Sequence, residues 1–138
     1  MTVLNFNGYK VLHCEYIRND IFDNSQSEID MDHKLKANNN IDIDNNTSEI
    51  EISVSVGSIE KTNQPFKVEV SLIGSFSYEI NEDENSIGFE NLLKVNGTAI
   101  LYPYLRALVA SITNLSGEYP GYNMPTLNIK KALEIEEP

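Results

Sequence analysis

From Ala99 to Gly117 the chain reads AILYPYLRALVASITNLSG, nineteen residues in which Arg106 is the only charge. Leu101, Tyr104, Leu105, Leu108, Ile112 and Leu115 recur at helical spacing, and Ile100 and Val109 widen the stripe, so the spacing predicts a helix. The opposite side carries Ala107, Ala110, Ser111 and Asn114, which are small rather than charged. A surface helix ordinarily turns a charged face to water; one this poor in charge is covered on more than one side. A sheet covers one side only. A second copy of the same chain is the simplest cover for the other, with loops or the C-terminal segment of the same chain as the alternative. Asn96-Gly97-Thr98 is expected to break the chain before the helix, with Thr98 as the N-cap. Pro103 then fits as the first helical residue after a cap at Tyr102, or within a kinked first turn.

Upstream the period changes from 3.6 to 2. Ile50, Ile52, Val54 and Val56 alternate with Glu49, Glu51, Ser53 and Ser55, the pattern of an antiparallel strand with one wet face. Phe66, Val68, Val70 and Leu72 alternate with Lys67, Glu69 and Ser71, and Ser75 to Ile80 extends this strand past a bulge at Gly74. Turns are expected near Gly57 and at Asn63 to Pro65. Tyr9 to Ile17 predicts an earlier strand, with Leu12, Cys14 and Tyr16 on one face. Arg18 to Glu28 reads as a loop, and Ile29 to Lys36 as a further strand. Asn38 to Asn46, mostly Asn and Asp, reads as a mobile loop or a weak edge. Asn81 to Glu90 is an acidic loop. Strands first and helix last make the fold class α+β, in one domain over residues 1–138, with 134–138 a flexible acidic tail.

The charge balance narrows function. Twenty-one acidic against 10 basic residues give a net charge of −11, which argues against non-specific nucleic-acid binding and favours basic partners. No run approaches the ~20 apolar residues of a membrane span. A lone cysteine, Cys14, forbids an internal disulfide; with a start that lacks a basic n-region and an apolar run, it predicts a reducing, cytoplasmic setting. Cys14 itself is expected to be a buried, inert thiol. There is no G-x-S-x-G, P-loop, H-E-x-x-H or C-x-x-C motif, so no catalytic residue, cofactor or metal is expected. His13 and His33 fall in separate strands. Asp42-x-Asp44-x-Asn46 lacks the Gly and closing Glu of a calcium loop, which Thr47 and Ser53 replace.

Ala99-Ile100-Leu101-Tyr102-Pro103-Tyr104-Leu105-Arg106 resembles the I-L-F-P-Y-A-R signature that opens the long helix of SecB-type export chaperones. Gly117-Glu118-Tyr119-Pro120 resembles that family's G-x-F-P, Leu127-Asn128-Ile129 its V-N-F, and Phe66 to Val70 with Gly74-Ser75-Phe76 its strand ending in G-x-F. The order and spacing of these blocks match from about Glu49 to Leu133, and more loosely over Tyr9 to Asp23. Departures are Pro125 one position early, Leu105 and Ala107 beside Arg106, and Lys67 in place of an apolar residue.

The resemblance implies a four-stranded antiparallel sheet with one long and one short C-terminal helix on one face. It implies a dimer of dimers assembled through the long helix, here Tyr104, Leu105, Leu108, Ile112 and Leu115. It implies an ATP-independent holdase that is not an enzyme. Such a holdase binds unfolded preproteins in apolar grooves for delivery to the export machinery, with the SecA motor as a partner. Groove candidates are Phe66, Phe76, Tyr78, Tyr119 and Tyr122, with Leu127 and Ile129. The acidic partner-docking face falls on Glu69, with Asp20 and Asp23 nearby. Two alternatives stay open: a SecB-like chaperone dedicated to one client such as an antitoxin, favoured by Lys67 and a shortened client loop, and a small-ligand binding protein on the same fold.

Overall fold

Two strands with strict alternation build the centre of the sheet. The computed structural model describes residues 3–25, 28–83 and 86–126; Leu127, Ile129, the expected short C-terminal helix and the tail at 134–138 lie outside them. Strands β1 (Leu4–Arg18), β2 (His33–Asp42), β3 (Thr47–Gly57) and β4 (Phe66–Tyr78) form one antiparallel sheet in the order β1-β4-β3-β2. The α+β expectation holds: one long helix packs across one face of the sheet.

That helix starts earlier than expected. α1 (Phe89–Leu92), a π-helical segment (Leu93–Gly97) and α2 (Thr98–Asn114) are contiguous, and Gly97 and Thr98 both have helical backbone angles. Gly97 is therefore a close-approach residue rather than a breaker: a Cβ there would lie 2.5 Å from Ile50 Cδ1. Thr98 is not an N-cap; its hydroxyl donates back to the Lys94 carbonyl at 3.2 Å. Asp83 ties down the start of the helix instead, accepting from Ile87 N at 2.9 Å, Gly88 N at 2.8 Å and the Tyr78 hydroxyl at 2.9 Å. Pro103 lies inside α2 on its exposed side. The carbonyl it leaves without an amide donor, that of Ala99, belongs to an exposed residue.

The buried face of the helix is rotated from the expected stripe. Thr98, Leu101, Tyr102, Leu105, Val109 and Thr113 are buried against Ile50, Ile52, Val54, Val68, Val70 and Leu72 of the sheet. Tyr104, Leu108, Ile112 and Leu115 point to the outer side, from half-buried to exposed. Gly74 continues β4 without a bulge, because the Leu101 side chain sits where its Cβ would be. The irregularities fall in β1, between Phe6 and Tyr9 and between Val11 and His13. Of the two readings of the asparagine run, the edge strand holds as far as Asp42: Asn38, Asn39 and Asn40 pair with Glu51, Ile50 and Glu49 in β2, where neighbouring strand contacts override the turn preference of Asn, and the turn follows at 43–46. Ile29 to Asp32 lie outside that strand. Cys14 is exposed rather than buried, on β1, the other edge of the sheet.

Candidate functional site

Beside the N-terminal end of β4 an apolar cavity of about 180 Å³ opens to solvent, with Pro65 and Phe66 as its floor. Ile29 and Met31 form one wall, and Tyr119, Pro120, Gly121, Tyr122 and Asn123 form the other.

The first wall is non-repetitive chain, and a buried side chain holds it. Gln64, fully buried, donates from Nε2 to the Asp30 carbonyl at 2.9 Å and accepts from the Asp32 amide at 3.0 Å. Gly57 N donates to the Asp32 carbonyl at 2.7 Å. The buried Asn19 amide group donates to the carbonyls of Lys61 and Gln64 at 2.7 and 2.6 Å, which locks the β1–β2 and β3–β4 connections together. These two amides satisfy backbone groups that apolar side chains would leave unpaired at high cost.

The second wall follows the helix. Gly117, at φ 75°, reverses the chain after Asn114. Ser116 Oγ accepts from the amides of Glu118 and Tyr119 at 3.2 and 3.1 Å. Thr113, fully buried, accepts from Tyr122 N at 2.7 Å through Oγ1 and donates to the Val109 carbonyl at 2.8 Å. Tyr102 donates its hydroxyl proton to the Pro125 carbonyl at 2.7 Å. Gly121 lets the chain pass close to the helix, since a Cβ there would lie 3.1 Å from the Ala110 carbonyl oxygen. Arg18, at the end of β1, grips Glu118 with Nε at 2.8 Å and a second nitrogen at 3.0 Å. Tyr119 packs on Phe66 at 5.8 Å between ring centroids and edge-on to Phe22 at 6.2 Å.

Chemically, the cavity offers adhesion and little else. Among the described residues, no carboxylate, histidine or cysteine lines it. Burial pushes the Tyr119 and Tyr122 phenols above their ordinary pKa, so both stay neutral at physiological pH. Apolar and aromatic walls bind many sequences because such contacts are non-directional.

Of the groove residues expected from the sequence, the structure brings Phe66, Tyr119 and Tyr122 together. Phe76 lies ten residues along β4 from Phe66, roughly 30 Å away at about 3.3 Å per residue. It is a core residue against Phe6, with ring centroids 5.4 Å apart. Tyr78 stacks on Phe89 at 5.0 Å and donates to Asp83, so it serves the start of the helix. Ile29, Met31, Pro65 and Pro120 were not among the expected groove residues; Ile29 and Met31 fall in a segment expected to be strand, which Gln64 and Gly57 instead hold as non-repetitive chain.

The helix residues divide as well. Leu105 is 0% exposed and belongs to the core of its own chain. Tyr104 is 37% and Leu115 82% exposed, with Leu108 and Ile112 half-buried between them.

The three docking residues do not share a face. Glu69 lies on the solvent side of the sheet, where Lys67 Nζ meets it at 3.1 Å. Asp20 and Asp23 follow β1: Asp20 pairs with Arg18 at 2.6 Å, and the Ser25 amide holds the Asp23 carboxyl below its usual pKa. The solvent face is also not the acidic surface expected, since Lys10, Lys34, Lys36 and Lys67 interleave with Glu15, Glu49, Glu51 and Glu69. Much of the acidic excess sits in connections such as Asp30, Asp32, Glu79 and Glu82.

The geometry is thus a helix-backed antiparallel sheet with an open apolar cavity beside it. The family comparison is specific: the model for "Preprotein translocase subunit SecB" matches residues 14–134, and the chain belongs to the SecB family. That is a chaperone family, and the role of the chain is a chaperone's. Among solved structures, it is similar to a Mycobacterium tuberculosis SecB-like chaperone in complex with a ChAD peptide from the HigA1 antitoxin. There the TM-score is 0.70 at 16% identity, covering 90% of each chain. It also resembles a Streptococcus agalactiae protein of unknown function, with a TM-score of 0.50 at 12% identity, covering 89% of this chain and 97% of that one. At such identities both speak for the fold alone. Comparison with curated protein sequences gives no match.

Proposed function

We propose that this chain is an ATP-independent holdase that captures unfolded polypeptide in the groove between Ile29–Met31 and Tyr119–Asn123. The single observation that carries this reading is the composition of that groove, whose walls among the described residues are aromatic, proline and aliphatic side chains. Backbone groups of a client find partners in water or along the chain, while its apolar side chains fill the cavity.

Copies of the chain assemble through the outer side of the long helix. Tyr104, Leu108, Ile112 and Leu115 line it, and β1 extends the same surface with the exposed Tyr9, Val11 and Leu12; Tyr9 and Tyr104 already touch at 4.5 Å between ring centroids. Delivery of preproteins to the export machinery through SecA is the first role considered for such an assembly. The Lys67–Glu69 ion pair and the mixed charge of the sheet face favour a second: a chaperone devoted to one client, such as an antitoxin. The M. tuberculosis relative was solved with an antitoxin peptide, which supports the same reading. Co-purification separates the two: a heterogeneous set of polypeptides supports the general holdase, and one stoichiometric partner supports the dedicated chaperone. If the purified chain leaves aggregation of an unfolded client unaffected and co-purifies with nothing, both fail.

A further inference from the structure

On the side of the sheet away from the helix, three groups that are far apart in sequence meet. His13 and Glu15 are two residues apart on β1 and so share a face, and Glu69 on β4 stands directly opposite Glu15. The irregularity between Val11 and His13 sits at the base of this cluster, a position where bulges commonly re-aim a side chain. One ligand atom from each of the three lies within 4.8 Å of the others. We propose that His13, Glu15 and Glu69 bind a divalent transition-metal ion, with zinc the best fit.

Geometry supports this first. Zinc bonds of about 2.0–2.1 Å place tetrahedral ligand atoms roughly 3.4 Å apart. The required contraction is thus about 1.4 Å at most, within reach of side chains that are exposed or half-buried. Charge supports it second. Two carboxylates directly opposed across a ladder repel each other, and the single ammonium of Lys67 is engaged with one oxygen of Glu69. A divalent ion answers both carboxylates. Ligand type selects the metal: an imidazole nitrogen beside carboxylates suits zinc, whereas calcium and magnesium take oxygen sets. Three protein ligands leave a coordination position open. Two of the three ligands, His13 and Glu69, also line a cavity of about 420 Å³ with Ser53, Ser55, Ser71, Lys34 and Lys36, roomy enough for water. The site lies on the opposite face from the apolar groove and stands independently of the chaperone reading.

The test is a zinc titration of the chelator-treated full chain by calorimetry, with cobalt absorption as a second probe of coordination. The expected result is one ion per chain. His13→Ala and Glu69→Gln should each weaken binding by at least the roughly 10- to 100-fold that loss of a group merely supporting a metal ligand causes, and His33→Ala should leave it unchanged. Unfolding scans should show that zinc raises the Tm of the wild type but not of His13→Ala. Binding that is absent in the wild type, unaltered in His13→Ala, or lost in His33→Ala overturns the proposal.

Discussion

Gly74 and Leu101 mark a close approach of sheet and helix, and their coupling is measurable. A methyl group at Gly74 would overlap Leu101 Cδ2 and lie 3.0 Å from Cδ1 and 3.1 Å from Cγ, against about 3.5–4.0 Å for comfortable carbon contacts. Leu101 is fully buried, so its side chain has no free space to swing into. Overpacking of this kind costs about 1–3 kcal/mol. Replacing a strand glycine by alanine returns about 0.5–1 kcal/mol of backbone entropy. Gly74→Ala is therefore expected to destabilise by about 1–2 kcal/mol, a fall in Tm of roughly 3–8 °C for a domain of this size. Leu101→Ala alone removes core volume and costs about 2–5 kcal/mol. In the double variant the new methyl occupies part of the space vacated by Leu101, so its loss should fall short of the sum of the single losses by about 1 kcal/mol or more. The assay is urea unfolding followed by circular dichroism, at one protein concentration because assembly shifts the apparent midpoint. Strict additivity, or a Gly74→Ala variant as stable as wild type, would refute the close packing.

Two further perturbations probe the start and the outer face of the helix. The amides of Gly88 and Ile87 hold the Asp83 carboxyl below its usual range. Its contribution is therefore present above the ordinary aspartate pKa of about 3.9 and lost as pH falls through the depressed folded value. Asp83→Ala should lower the Tm by several degrees at neutral pH, with the gap to wild type closing in acid; a gap that stays constant across a pH series contradicts this. Leu115→Asp alters a side chain that is 82% exposed. It should leave the fold intact by circular dichroism while light scattering reports a smaller particle; an unchanged mass would remove this face as the interface.

The central strands were legible because Glu49 to Val56 and Phe66 to Leu72 alternate without interruption and one face is buried. The edge strand β2 was legible only in part: the alternation from Ile29 to Lys36 announced a strand, but its course through Asn residues that prefer turns in isolation comes from pairing with β3. The helix was legible as a helix but not in its orientation. Leu101, Leu105 and Val109 interleave with Tyr104, Leu108, Ile112 and Leu115, and with apolar residues on both sides periodicity does not say which side meets the sheet. Gly97 read as a breaker because the need for closeness to Ile50 is a tertiary fact. In the groove, aromatic residues near the recognisable Gly117–Pro120 turn could be found. The opposite wall could not, since Ile29 and Met31 are placed by hydrogen bonds from Gln64, 35 and 33 positions further along the chain. His13, Glu15 and Glu69 meet only through strand register, which no local pattern encodes.

Ile29 gives the most direct test of the groove. It lines the cavity, is 39% exposed and stands outside the buried core, so a charge there should spare the fold. The measurement is suppression of aggregation of a chemically unfolded client by wild type and by Ile29→Asp, matched for Tm and particle mass. The account predicts that wild type suppresses aggregation and that Ile29→Asp, folded and assembled as before, loses most of that activity. Equal suppression by both proteins would contradict the claim that this groove holds the client.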